Sequence, residues 1–206
     1  DAVWQRNRKY RNPGWHFFKD VKTSENYNKD VKATFQTNKL KSGKIVMQLH
    51  IPGFQNRAYT KVKAPITFEA PKPYHKLPIP TLVIRNTGAA WKNPFVVVYE
   101  PYNEKEKPSI QSVTKLEQDG IYKGLKIVSK TPSEMLTQYV ITQSKNQVFQ
   151  DKESAIYFKG TFAIITFNDS QKLQNIYIGE GEKLVYRNQE ITTDLSNSYF
   201  KSYAKN

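Results

Sequence analysis

The chain has 206 residues, with 32 Lys and Arg against 18 Asp and Glu, and therefore a formal net charge of +14. Hydrophobic residues make up 38% of the chain and aromatic residues 13%, which is enough to bury a core and excludes wholesale disorder or a collagen-like repeat. The absence of cysteine excludes disulfides, zinc–cysteine sites, iron–sulfur clusters and thiol nucleophiles.

The first predicted element is a basic, aromatic segment at the N-terminus. Residues 4–11 combine four cations with two aromatic rings, and residues 15–19 continue the mixture. Residues 1–63 contain 14 basic and 4 acidic residues, so most of the excess positive charge lies in the first third. Rings stack on sugars or bases, while Lys and Arg pair with sulfate, carboxylate or phosphate oxygens. The predicted ligand-binding residues are Trp4, Arg6, Arg8, Lys9, Tyr10, Arg11, Trp15, His16, Lys19 and Lys22.

Alternation of apolar and polar residues recurs along the chain, whereas the helical period is almost absent. Turn signals separate the alternating runs at a spacing of roughly ten residues. This rhythm predicts an all-β fold, an antiparallel β-sandwich of about eleven strands. The predicted strands are 31–35, 45–51, 81–85, 95–100, 110–116, 124–129, 138–143, 147–150, 155–166, 173–178 and 183–186.

Two segments within this series have a special composition. Residues 95–98 are apolar on both faces, which predicts a central strand covered on both sides. The proline-rich segment 64–80 cannot donate a regular ladder of hydrogen bonds, so we expect it to be an extended crossing between two halves of the sheet system. A single module over 1–206 is the favoured organisation, and two small subdomains joined at 64–80 are the alternative.

The sequence is poor in catalytic and metal-binding groups. His16, His50 and His75 lie far apart, and no spacing resembles a zinc motif. His50 falls on the polar side of its strand, which predicts a surface or interface histidine. His16 either contacts an acidic sugar or alternates outward from a core formed by its aromatic neighbours. No catalytic residue, metal site or cofactor is predicted, and a structural calcium ion in a loop is left open.

The beginning of the chain and its hydropathy suggest its context. It starts at Asp1 without a charged-then-apolar leader, so we expect a fragment or a mature form of a longer protein. The longest apolar run is Phe95–Val98, far short of the ~20 apolar residues of a membrane-spanning helix. We therefore expect no integral membrane segment and no membrane partner.

Several segments resemble the C-terminal β-sandwich region of bacterial heparinase II/III-like polysaccharide lyases. The strongest is 80–102, and 13–21, 47–53, 158–162 and 178–181 fit the same region in the right order. The resemblance implies a parent enzyme with a helical toroid and stacked β-sandwiches that cleaves uronic-acid polysaccharides by β-elimination. The toroid and the upstream catalytic histidine motif have no counterpart here, and His16 falls outside that motif. No catalytic residue is therefore transferred.

Four functions follow as hypotheses. The leading one is a non-catalytic carbohydrate-binding module of a secreted or periplasmic bacterial polysaccharide lyase, which binds acidic (sulfated or uronate) polysaccharide. The alternative is a structural C-terminal domain that packs on the catalytic toroid through Trp15, Phe17 and Phe18 and binds no glycan. A module with lyase activity of its own is the third. Nucleic acid is the fourth and less favoured partner, because no RNA- or DNA-binding motif is visible.

Overall fold

The computed structural model describes residues 18–25, 27–37, 43–65, 72, 76–90 and 92–203. These residues form thirteen strands and no α-helix, which confirms the all-β fold class. In the described part of the chain, no helix has the length and apolarity that a membrane crossing requires. The strands are β1 (Lys19–Ser24), β2 (Val31–Gln36), β3 (Ile45–Ile51), β4 (Arg57–Ala64), β5 (Ile79–Asn86), β6 (Val98–Asn103), β7 (Ile110–Gln118), β8 (Ile121–Lys130), β9 (Met135–Asp151), β10 (Ile156–Asn168), β11 (Leu173–Tyr186), β12 (Gln189–Thr192) and β13 (Tyr199–Ser202).

The strands form three antiparallel sheets in two compact units. Unit 1 contains the sheet β1-β4-β5. Unit 2 contains the sheet β2-β3-β6 and a seven-stranded sheet in the order β12-β11-β10-β9-β8-β7, with β13 also paired to β11. The organisation of 1–206 as a single module stays a prediction.

The seven-stranded sheet folds over on itself, because its long strands bend sharply. The Tyr139 hydroxyl donates a 2.7 Å hydrogen bond to Asp151 Oδ2, although both residues lie in β9 and twelve extended residues span about 40 Å. Similarly, the Phe167 ring stacks on Tyr186 at 5.2 Å between centroids, although the two residues lie at opposite ends of the paired β10 and β11. The two halves of each long strand therefore face each other, with the core between them.

The edges of β11 show how the two layers continue. One half of β11 pairs with β13 through Asn175–Ile178, and the other half pairs with β12 through Lys183–Tyr186. On the far side, β8 pairs with β9 through residues 135–141, in the same layer as β13. This arrangement is a sandwich made from one continuous sheet. Its buried core consists of Tyr139, Ile141, Phe149, Ile156, Phe158, Ala163, Ile165, Phe167, Leu173, Ile176, Ile178, Leu184 and Tyr186.

The corner between the layers depends on close backbone packing. The register of β9 and β10 jumps between Gly160 and Phe162, and β10 and β11 shift at the same place. A Cβ atom on Gly160 would lie 2.3 Å from the Phe158 ring and 2.6 Å from the backbone oxygen of Glu180. Any larger residue would therefore push the strands apart at the bend.

Gly160→Ala is expected to lower the free energy of unfolding by about 1–3 kcal/mol, because a well-packed site must expand to admit the methyl group. Thermal and urea unfolding followed by circular dichroism measures the change. Lys152→Ala, in an exposed turn of the same unit, is the control and should change stability by less than ~0.5 kcal/mol. Equal stability of the Gly160 and Lys152 variants would contradict the tight corner.

The predicted and observed strands differ in two ways. The predicted strands 138–143 and 147–150 are one bent strand, β9, and 173–178 and 183–186 are another, β11. In β11, the glycine-rich residues 179–181 lie within the strand and do not form a turn. In addition, β1, β4, β12 and β13 were not predicted.

Two other expectations also change. The predicted covered strand at 95–98 is wrong, since β6 begins at Val98 and Phe95 is 58% exposed. The ends of 64–80 belong to neighbouring strands, because Ala64 pairs with Ile79 in the β4–β5 ladder. The proline-rich segment therefore joins two adjacent strands of one sheet, and Pro80 lies in an edge strand, where a missing N–H is tolerated.

Candidate functional site

Four lysines lie on one face of the unit 1 sheet. In the β1–β4 ladder, Lys19 is opposite Lys63 and Lys22 is opposite Lys61. Directly opposed residues point to the same side of a sheet with Cβ atoms about 4.5–5.5 Å apart, and residues two apart on one strand are ~7 Å apart. The four ammonium groups therefore share a small surface, which we call the lysine face.

A β-bulge is what brings all four lysines to one face. Between Lys19 and Lys22, β1 advances three residues while β4 advances two, and the register shifts accordingly. Asp20 lies in this irregular stretch with a φ of 51°, in the left-handed region that Asp tolerates better than most residues. Without the bulge, Lys19 and Lys22 would point to opposite faces.

Asp20 balances one of the four positive charges. Its carboxylate forms a salt bridge with Lys63, and both side chains are about half exposed. The hydrogen bond and the charge of Lys63 lower the pKa of Asp20, and the charges of Lys19 and Lys22 lower it further. Among the described residues, no carboxylate lies within salt-bridge distance of Lys22 or Lys61. The face consequently keeps an excess of positive charge.

Aromatic residues flank the lysine face. Tyr59 lies two residues before Lys61 on β4 and so points to the same side, and the Tyr27 ring meets it edge to face at 6.0 Å. Tyr27 is 36% exposed and Tyr59 is buried. Two residues before Tyr59 on β4, the fully buried Arg57 lies 4.5 Å from the Phe54 ring centre. A partly exposed ring beside clustered ammonium groups suits an anionic sugar chain.

The structure brings together two of the ten predicted binding residues and adds two more. Lys19 and Lys22 lie on the lysine face, and Lys61 and Lys63 were missed. The signal that could have found the missed pair is the alternation around Val62, which is buried between two exposed lysines. The remaining predicted residues, Trp4, Arg6, Arg8, Lys9, Tyr10, Arg11, Trp15 and His16, lie outside the described residues.

The most acid–base-like pair belongs to unit 2 and is buried. His50 is 3% exposed and its Nε2 lies 2.9 Å from Oε2 of Glu100, so the predicted surface position of His50 is wrong. Oε1 of Glu100 accepts hydrogen bonds from the Ser109 hydroxyl and from the Ile110 N–H at 2.8 Å. Burial raises the pKa of Glu100, but these hydrogen bonds together lower it below its usual value. Glu100 in β6 therefore connects to β3 through His50 and to the start of β7 through Ser109 and Ile110.

The described residues contain no group of three or more His, Cys, Asp or Glu side chains that could hold a metal ion.

Comparison with known proteins finds a family similarity within unit 2. Residues 110–203, which run from the start of β7 to just beyond β13, match the family described as the endo-acting ulvan lyase C-terminal domain. This match covers a little less than half of the chain. The chain is also 36% identical over 194 residues to an endo-acting ulvan lyase of Formosa agariphila.

That similarity covers 94% of the chain but only 23% of the relative, so the chain spans about a quarter of the enzyme that it matches. No solved structure matches. The comparisons agree with the predicted resemblance to the C-terminal region of a polysaccharide lyase. The similar proteins are ulvan lyases and not specifically heparinase II/III-like enzymes. The lysine face lies outside 110–203, in the part of the chain that precedes the matched residues.

Proposed function

We propose that the chain is a non-catalytic module of a polysaccharide lyase and that it binds acidic polysaccharide through the lysine face. The observation that carries the proposal is the direct opposition of Lys19 with Lys63 and of Lys22 with Lys61. Like charges opposite each other destabilise a sheet. A polyanion that neutralises them offsets this cost, so the arrangement favours binding over packing.

Ulvan is the polysaccharide that the comparisons suggest, because the similar enzyme of Formosa agariphila is an endo-acting ulvan lyase. Ulvan is acidic and sulfated. Its charged groups would accept hydrogen bonds from the four lysines, and its sugar rings would pack on Tyr27. The N-terminal cations and rings of residues 4–16 extend this proposal beyond the described residues.

The absence of catalytic function in this module is part of the proposal. A general acid or base must reach the proton that it transfers. The His50–Glu100 pair is enclosed, and the carboxylate already accepts hydrogen bonds from His50, Ser109 and Ile110. A secreted or periplasmic location would give the module access to an extracellular polysaccharide.

A structural role beside the catalytic part of a lyase is the second candidate. Some large apolar side chains of unit 2 are exposed, among them Phe95 at 58%, Tyr99 at 61% and Phe200 at 67%. Exposed apolar surface of this kind commonly marks a contact with a neighbouring domain. This role predicts concentration-dependent self-association of the isolated chain in sedimentation velocity and no retention by glycans.

Affinity electrophoresis through gels that contain ulvan, pectin, dextran sulfate or a neutral glucan separates the two candidates, with duplex DNA as competitor. We expect ulvan to retard the chain more than the other polymers and to do so at ~0.3 M salt, where the Debye length is under ~8 Å. Equal retardation by every polyanion, lost on addition of salt, would overturn specific recognition. No retardation at all would favour the structural role.

A further inference from the structure

A groove at the corner of the unit 2 sandwich contains a buried lysine. The groove has a volume of about 500 Å³, within the usual range of small-molecule sites. Residues 142–147 of β9 form one side, the start of β8 another, and residues 94–96 a third. Phe95 and Phe162 give it aromatic walls.

Lys123 is directed into this corner by a second β-bulge. Leu116 pairs with Gly124 and Glu117 with Tyr122, so Lys123 is the extra residue of β8. Gly124 has a φ of +142°, and a Cβ atom there would lie 2.1 Å from the Val140 carbonyl oxygen. The bulge explains why Tyr122 and Lys123 are both buried although they are consecutive. Bulges commonly re-aim a side chain next to a functional site.

The ammonium group of Lys123 is incompletely compensated. The side chain is 5% exposed, and its Nζ donates a 2.9 Å hydrogen bond to Oε1 of Gln147, which is a neutral group. An ammonium group has three donors, and no other acceptor or carboxylate contacts this one among the described residues. Burial lowers the pKa of Lys123, while the more distant charge of Asp119 acts in the opposite direction. A buried charge without an opposite charge is costly unless a ligand completes the site.

The polar groups beside Lys123 are fixed in place. The Gln143 side chain donates 2.9 Å hydrogen bonds to the carbonyl oxygens of Gln147 and Gly160, which span the bend of the sheet. Its own Oε1 is buried and has no partner in the described part of the chain. Gln147 is therefore fixed in place, and its Oε1 positions the ammonium group of Lys123 by accepting a hydrogen bond from it.

We propose that this groove binds one anionic sugar unit, whose charged group accepts hydrogen bonds from Lys123 and whose ring packs against Phe95. The proposal deepens the proposed function, because it assigns a specific subsite for an acidic glycan in addition to the lysine face. Phe95 is 58% exposed at the groove, which leaves its ring accessible to a sugar. The groove lies in unit 2 and the lysine face in unit 1, so variants test the two sites separately.

The test is a titration of the isotopically labelled chain with methyl β-D-glucuronide, methyl β-D-glucoside or glucose 6-sulfate, monitored by NMR. The first two probes differ only in the carboxylate. We expect the glucuronide, and not the glucoside, to shift the Lys123 Hε–Cε and Phe95 ring signals. The sulfated sugar decides whether sulfate is accepted as well. Lys123→Met and Phe95→Ala should each weaken glucuronide binding about tenfold or more.

Lys130→Met is the matched control, because it removes the same charge from an exposed position at the end of β8 and should leave binding unchanged. Lys123→Met keeps the side-chain length, and its folding is checked by the spectrum of the core residues. Equal shifts with glucoside and glucuronide, or unchanged glucuronide binding by Lys123→Met, would overturn the groove site. If glucuronide does not bind in the groove but ulvan still retards the chain, the groove site is wrong and the proposed function stands. If glucuronide binds in the groove but ulvan does not retard the chain, the groove site stands and the proposed function is wrong.

Discussion

Glu100→Ala is expected to lower the free energy of unfolding by about 3–5 kcal/mol, because it breaks the buried His50–Glu100 pair. The substitution removes the acceptor of three hydrogen bonds, which come from the buried His50, the half-buried Ile110 and the exposed Ser109. The donors of His50 and Ile110 then lose their partner with little access to water, whereas the Ser109 hydroxyl can bind water instead. Urea unfolding followed by tyrosine and tryptophan fluorescence measures the loss.

Glu106→Ala is the control for this prediction. Glu106 lies in the exposed turn after β6, and its carboxylate accepts a long hydrogen bond from the Asn103 N–H at 3.4 Å. Its removal should cost less than ~0.5 kcal/mol. A Glu100→Ala variant as stable as Glu106→Ala would show that the buried carboxylate does not connect β6 to β7.

The ionisation of Glu100 adds a pH dependence to this connection. Its pKa is lower in the folded chain than the ~4.3 of an unfolded glutamate, so the carboxylate stabilises the fold above that pH. This contribution is lost as the pH falls through the lowered folded pKa. The difference in unfolding free energy between the wild type and Glu100→Gln should therefore be constant above pH ~5 and shrink below pH ~4. A constant difference down to pH ~3 would mean that folding does not lower the pKa of Glu100.

Local patterns in the sequence are sufficient to predict the short hairpins. The alternation in 31–35 and 45–51 identifies two strands, and the structure pairs them antiparallel, with Val31 opposite Ile51. Here the hydrophobic period and the turn chemistry indicate the same structure. The fold class follows from repeating this argument along the chain.

The bent strands could not be predicted from the same patterns. Gly179-Glu180-Gly181 has the composition of a turn, and only its pairing with Gly160 and Phe162 shows that β11 continues through it. Whether glycines end a strand or bend it depends on the neighbouring strand, which lies far away in sequence. The same limit explains why 95–98 was predicted as a covered strand, since its apolar residues border an open groove.

The lysine face could not be predicted without the register of β1 and β4. Lys22 and Lys61 are far apart in sequence, and only the β1–β4 ladder places them opposite each other. Net charge showed that the first third of the chain is basic, but it could not show which cations share a surface. A one-residue slip would have moved Lys61 and Lys63 to the other face.

Lys22→Gln with Lys61→Gln is expected to weaken ulvan binding about tenfold or more at ~0.1 M salt while slightly stabilising the fold. Both lysines contribute to the charge that a polyanion neutralises, and each neutralised charge adds ~0.7 to the slope of log K against log salt for a flexible polyanion. The slope should therefore become shallower by about 1 to 1.5. Isothermal titration with ulvan at three salt concentrations measures both effects.

The stability of the same double variant separates binding from packing. Removing an opposed Lys–Lys pair relieves cross-strand repulsion, so the free energy of unfolding should rise by about 0.2–1 kcal/mol. Lys152→Gln with Lys172→Gln makes the same change in net charge at two exposed positions of unit 2 and should alter neither the salt slope nor the stability beyond ~0.5 kcal/mol. Equal loss of binding in both double variants would reduce recognition to net charge. A surface that binds a polyanion should become more stable and bind less tightly when the repulsion between its lysines is removed. A Lys22/Lys61 double variant that is less stable and binds ulvan as well as the wild type would therefore show that these lysines have a structural role.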